Sequence, residues 1–332
     1  MRAATRGVRG LLFACAFGAA TAVPARAQTD VVIVSGLGGE AVYAKRFTAM
    51  ASSLATALHA RFGVADSAIV WLGEDSTYAE PHYRGASTRA NIERAIRQSN
   101  ERSNGQLVVV LIGHGSGEGA DTRISVPGPD PTAGDFAKWL APFGTRRVAV
   151  IDLTSASGDA AAVLSAPGRV VITATKSSFE RNESHFGEYF VRAFTADGAD
   201  TDKDGRVSLL EAFRYAARET ARFYENASHL QTEHPQLDDD GDHTPSAEPT
   251  GRSGDGVLAR RFFLDAARAT AATTDRRIAA LYAEHAALED QVEAVRVKKA
   301  TLGSAAYDAA LEPLLVALAR KAREIRRAEG RP

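Results

Sequence analysis

Cysteine is all but missing from this chain of 332 residues: Cys15 is the only one. Charge of one sign is not in excess either. Lys and Arg number 40 against 41 Asp and Glu, a net charge of −1, so no basic surface is offered to nucleic acid. No apolar run reaches the length needed to span a bilayer. Phosphate-cradling motifs are absent as well. The nearest, Ser35-Gly36-Leu37-Gly38-Gly39, has neither the G-x-G-x-x-G spacing nor a Walker lysine, and reads as a tight strand-to-helix turn.

The N-terminus makes the cysteine deficit complete. Arg2, Arg6 and Arg9 precede a mostly apolar stretch at 11–23, and Ala25-Arg26-Ala27 is a small-x-small cleavage site. Residues 1–27 are therefore expected to be a signal peptide, with the mature chain beginning at Gln28 and exported to a periplasm or beyond the cell. Its removal takes four arginines and turns the net charge of −1 into −5. It also takes Cys15. The mature chain is then expected to have no disulfide, no thiolate metal site, no thiol nucleophile and no membrane span.

Between 28 and 225, short continuous apolar runs alternate with helical patterns. Val31 to Val34, Ala68 to Leu72, Leu107 to Ile112, Val148 to Ile151 and Val170 to Ile172 carry many β-branched residues without polar alternation. That is the signature of strands buried on both faces, and it predicts a doubly wound, mainly parallel α/β sheet. In such sheets ligands bind beyond the carboxyl ends of the strands. Two strand ends carry a reactive side chain there: His114 in Ile112-Gly113-His114-Gly115, and Ser155 in Asp152-Leu153-Thr154-Ser155-Ala156-Ser157-Gly158.

The most specific motif lies further on. Asp200-Thr201-Asp202-Lys203-Asp204-Gly205-Arg206-Val207-Ser208-Leu209-Leu210-Glu211 matches the twelve-residue EF-hand loop. Asp200, Asp202 and Asp204 fall at positions 1, 3 and 5 of that motif, and Gly205 at the turn position 6. Arg206 offers its carbonyl, Ser208 acts directly or through water, and Glu211 closes the loop with both carboxylate oxygens. A hard cation needs six or more oxygens, and this spacing converges alternate side chains on one point, so Ca2+ is the expected cofactor. Exposure to high external calcium fits a structural ion of modest affinity. Asp238-Asp239-Asp240-Gly241-Asp242 is acid-dense but lacks the glycine offset and the closing Glu, and is expected to be a solvated loop within a polar connecting segment, 226–269.

Residues 270–332 differ in pattern. Ile278, Leu281, His285, Leu288, Val292, Val295, Lys299 and Leu302 alternate spacings of three and four, as do Leu311, Leu315, Leu318, Ala322 and Ile325, with Gly303-Ser304 between. Two heptad-bearing helices and a short turn predict a helical hairpin or coiled coil, with self-association through it as one expectation.

The strand ending His114-Gly115, followed some forty residues later by the strand ending Thr154-Ser155-Ala156-Ser157-Gly158, resembles the caspase–haemoglobinase-fold cysteine peptidases, the legumain type above all. The resemblance covers about residues 30–225. It implies that His114 is the catalytic histidine and that Ser155 stands where the family has its cysteine. Thiolate chemistry is then excluded, and a serine needs a base in hydrogen-bond reach with a third group behind it. Three readings follow: a pseudo-peptidase that binds a protein or peptide partner, a serine-dependent hydrolase using Ser155 and His114, and a calcium-stabilised interaction module acting through its coiled coil.

Overall fold

The computed structural model describes residues 29–75, 78–102, 105–144, 146–202, 204–265, 276–296, 298 and 302–328. The expected signal peptide, with Cys15, lies outside these, as do Lys203 and Lys299. No described helix is long and apolar enough to cross a membrane.

The elements in chain order are β1 (Thr29–Ser35), α1 (Ala41–Ala60), β2 (Ile69–Gly73), β3 (Tyr83–Ala86), α2 (Arg89–Arg102) and β4 (Gln106–Ile112). There follow β5 (Gly115–Ser116), β6 (Arg123–Ile124), α3 (Ala133–Leu140), β7 (Val148–Asp152), α4 (Ala160–Leu164) and β8 (Arg169–Thr173). Then come α5 (Phe186–Thr195), α6 (Leu209–Asn226), β9 (Gln236–Asp238), α7 (Arg276–Arg296) and α8 (Ser304–Ala328).

The main sheet is mixed α/β, with strand order β3-β2-β1-β4-β7-β8-β9. Every pairing is parallel except that of β9 on β8. The expected central strands are all present, and β1, β4, β7 and β8 are buried along their whole length. Both faces are covered. One packs with α1, α5 and α6 through Leu54, Leu58, Phe186, Phe190 and Phe213; the other packs with α2, α3 and α4 through Ile92, Ile96, Phe136 and Leu164. The chain leaves β1 to one side for β2 and β3 and returns on the other at β4. The strand order therefore reverses between β1 and β4, the place where a doubly wound sheet opens a crevice.

Two strands depart from expectation. β3 is a half-exposed edge strand of four residues without an apolar run. β9 lies inside the segment expected to be loop, and its pairing places Leu237 against Ile172. The acid-dense stretch it opens is not solvated throughout. Asp238 is fully buried and accepts from Ser165 Oγ, and Asp239 is buried and accepts from the amides of Gly256 and Ala259; only Asp240 and Asp242 are exposed.

The C-terminal helices α7 and α8 pack on one another within one chain, forming the expected hairpin. Ile278, Val292, Leu318, Ala322 and Ile325 are buried along its seam. Leu315, expected there, is exposed. His285, the polar member of the heptad row, is among the most buried side chains of α7, at 3% exposure.

Candidate functional site

The two strand ends are neighbours. β4 and β7 pair directly, with Leu111 opposite Asp152, so His114 and Ser155 emerge on adjacent strands at the carboxyl edge. Backbones there approach closely: a Cβ on Gly115 would lie 2.1 Å from the Ser155 carbonyl oxygen, so only glycine fits. The Gly115 amide donates to Ser155 Oγ at 3.2 Å, and that hydroxyl in turn donates to the Gly115 carbonyl at 3.5 Å. Ser155 is buried and bound to backbone.

His114 is engaged elsewhere. Its Nε2 faces the Gly38 carbonyl at 3.2 Å, and its ring sits edge-on to Tyr43 at 4.8 Å and Phe47 at 5.1 Å. Among the described residues no carboxylate bonds to His114, and His114 and Ser155 do not hydrogen-bond to each other. Glu118 is in the exposed loop and pairs only loosely with Arg181. The pocket between His114, Ser155, Tyr43, Phe47 and Leu153 is narrow, with about 20 Å3 open to water. The imidazole is thus oriented by the Gly38 carbonyl and two aromatic rings rather than by a carboxylate, and it makes no hydrogen bond to Ser155 in this structure.

Asp152, at the end of β7, is structural. It accepts from the Thr154 amide at 3.0 Å and the Thr154 hydroxyl at 2.7 Å. Burial pushes its carboxyl up to about 6, against the Thr154 hydrogen bonds that favour ionisation. A folded-state pKa above the unfolded one means that the protonated form stabilises the fold at low pH, and that this contribution is lost as pH rises through about 6. The shift corresponds to about 3 kcal/mol. Asp152→Asn keeps an acceptor for Thr154 and does not titrate. Urea midpoints are therefore expected to show the variant gaining on the wild type by up to about 3 kcal/mol above neutrality and nothing in acid. Parallel stability–pH curves for the two proteins would refute this assignment.

The loop at 200–211 joins α5 to α6, and an aromatic ladder fixes those helices: Phe186, Phe190 and Phe194 on α5, with Phe213 of α6 against Phe186 at 5.9 Å. Inside the loop each acidic side chain turns onto a following amide. Asp200 Oδ2 accepts from Gly205 at 3.0 Å, Asp202 Oδ1 from Asp204 at 3.0 Å, and Asp204 Oδ1 from Arg206 at 2.7 Å. Gly205 has φ +83°, the left-handed turn that the motif needs glycine for. Carboxylate oxygens of Asp200, Asp202 and Asp204 lie within 4.8 Å of one another, and Asp200 Oδ1 is buried without a partner.

Glu211 completes the loop and starts α6. Ser208 and Glu211 form a reciprocal capping box, and the second Glu211 oxygen accepts from the Thr201 amide and hydroxyl at 2.8 and 2.9 Å. The carboxylates crowd one another. Burial, then the hydrogen bond to Glu289 and the charges of Asp204 and Glu211, push Asp202 well above the usual carboxylate range. Burial raises Asp204 to about 7, opposed by Arg206, and raises Glu211. Buried carboxylates packed this densely ionise together only beside a counter-cation.

Two features around the loop escape any reading of its twelve residues. Arg206 is buried, donates bidentately to Asp265, from Nη2 to Oδ1 at 2.7 Å and from Nε to Oδ2 at 3.3 Å, and lies over the Phe263 ring at 3.5 Å. Ser208 bridges Phe263 in antiparallel fashion, with the Leu209 amide on the Phe262 carbonyl at 2.9 Å, so the segment 262–265 braces the loop from behind. On the other side α7 brings Glu289 and His285 against Asp202. The residue types carried no signal for these contacts; only the third dimension joins segments that lie 53 to 87 residues apart, from Leu209 and Phe262 to Asp202 and Glu289.

No protein-family model matches the chain, and no curated protein matches it. Among solved structures it is similar to caspase-1 from Spodoptera frugiperda, over 65% of this chain and 87% of that one, with 10% identity and a TM-score of 0.40.

Proposed function

We propose that this chain is an exported calcium-binding protein, related in fold to the caspase–haemoglobinase peptidases, that binds a protein or peptide partner without hydrolysing it. The loop from Asp200 to Glu211 carries the reading. Its three aspartates already fold onto successive amides, Asp200 Oδ1 is buried and unpartnered, and burial holds the carboxyls of Asp202, Asp204 and Glu211 above the usual range, a cost that a bound cation would offset. Asp200, Asp202, Asp204, Ser208 and Glu211 would supply side-chain oxygens, and Arg206 its carbonyl.

The strand edge supports the second half. His114 is held by Gly38, Tyr43 and Phe47, and Ser155 by the Gly115 backbone, which argues against the serine-hydrolase reading. The hairpin closes on itself and on the loop within one chain, which favours the α/β body over self-association through 270–332 as the partner-binding part. A fluorophosphonate probe is expected to leave Ser155 unlabelled, and a peptide library is expected to survive incubation intact. Labelling or hydrolysis that disappears in Ser155→Ala would overturn the inactive assignment.

A further inference from the structure

The hairpin brings ligating side chains to the loop it covers. His285 and Glu289 stand four residues apart on α7, hence on one face. Asp202 meets them across the interface: a ring nitrogen of His285 and one carboxylate oxygen each of Asp202 and Glu289 all lie within 4.8 Å of one another. His285 Nδ1 is 3.6 Å from Glu289 Oε1, close to the edge of a metal coordination tetrahedron.

Two observations at this spot lack a satisfying explanation in a protein without an ion. His285 is 3% exposed; its Nδ1 is the nitrogen nearest Glu289, and its other ring nitrogen, Nε2, has no hydrogen-bond partner. A buried ring nitrogen left unpaired carries a desolvation cost of about 1–3 kcal/mol. In addition, the Asp202 and Glu289 carboxylates meet across two separate elements, with an oxygen of each within 4.8 Å of the other. Arg260, 3.9 Å from Glu289, compensates part of this charge from the rim.

We propose that Asp202, His285 and Glu289 form a second divalent-cation site, for a borderline metal of the zinc class, which fastens the C-terminal hairpin to the α/β body. The donor set selects the class. Calcium and magnesium take oxygen ligands, whereas one imidazole with two carboxylates suits zinc, manganese or ferrous iron. Three protein ligands leave a fourth position to water. The spacing has a structural consequence: His285 and Glu289 come from the hairpin and Asp202 from the loop, so the ion bridges the two. Asp202 also belongs to the proposed calcium loop, but neither α7 ligand does, so the two sites are separable by mutation.

The test uses the untagged full-length mature chain, stripped with chelator and dialysed against Zn2+, with and without saturating Ca2+; bound metals are counted by elemental analysis. The wild type is expected to hold one Zn2+ in both conditions. His285→Ala and the near-isosteric Glu289→Gln are each expected to lose the Zn2+ while keeping the Ca2+ uptake of the wild type. Co2+ in place of Zn2+ should give visible absorption bands that vanish in His285→Ala. Zn2+ uptake untouched by both substitutions, or Zn2+ displaced one-for-one by Ca2+, would overturn the proposal. A His285-dependent Zn2+ in a chain that takes up no Ca2+ would uphold this site and remove the calcium reading instead.

Discussion

Asp265→Ala is expected to lower the stability of the protein by about 3–5 kcal/mol, because it strands the Arg206 guanidinium in the interior. Both partners are buried, at 5% and 4% exposure, and the contact is bidentate. Water cannot reach the cation to replace the lost carboxylate. The pair itself need not add net stability, since desolvating two charges consumes most of their attraction. The double replacement Arg206→Met with Asp265→Leu should therefore recover most of the loss, and that recovery is what separates a stranded charge from a general packing defect. Denaturant unfolding of the wild type and the two variants measures this. A single variant within about 1 kcal/mol of the wild type would contradict the burial of the pair. Because Arg206 also occupies the seventh position of the acidic loop, the single variant should weaken calcium binding along with stability.

Calcium at ten times its dissociation constant is expected to stabilise the wild type by about 1.4 kcal/mol and raise Tm by roughly 3–6 °C, and Glu211→Gln is expected to abolish the rise. The choice of glutamine matters. Glu211 is the third helical residue of α6, in a capping box with Ser208, and glutamine sustains that box while losing the carboxylate that a cation needs. The variant should consequently fold without calcium as well as the wild type does, so that only the response to calcium differs. A shift of equal size in Glu211→Gln would place the ion elsewhere; Asp238, Asp240 and Asp255, whose carboxylates also converge, would then be the group to replace next.

Much of this was legible in the sequence because the central strands are buried on both faces and therefore read as unbroken apolar runs. β1, β4, β7 and β8 announce themselves that way, and their adjacency brought His114 and Ser155 to one edge. The edge strands were not legible. β3 reads Tyr-Arg-Gly-Ala and β9 Gln-Leu-Asp, too short and too polar to show a period, and each takes its conformation from the neighbour it pairs with.

The convergence of Asp200, Asp202 and Asp204 was legible for a different reason: in a twelve-residue loop, spacing along the chain is spacing in space. What surrounds it was not. Glu289 falls outside the heptad row that contains His285, and nothing in the repeat distinguishes a seam histidine packed among side chains from one turned, with Glu289 one turn on, toward an aspartate more than eighty residues earlier. The same holds at the strand edge. Nothing in the sequence of α1 signals that Tyr43 and Phe47 pack edge-on against the His114 ring.

The most direct measurement is calcium uptake by the mature chain, followed by titration calorimetry in the wild type and in Glu211→Gln. One equivalent bound by the wild type at a dissociation constant of about 10⁻⁴–10⁻³ M, and lost in the variant, is the predicted result. A wild type that binds no calcium at millimolar concentrations, or a variant that binds it undiminished, would contradict the assignment of the loop from Asp200 to Glu211.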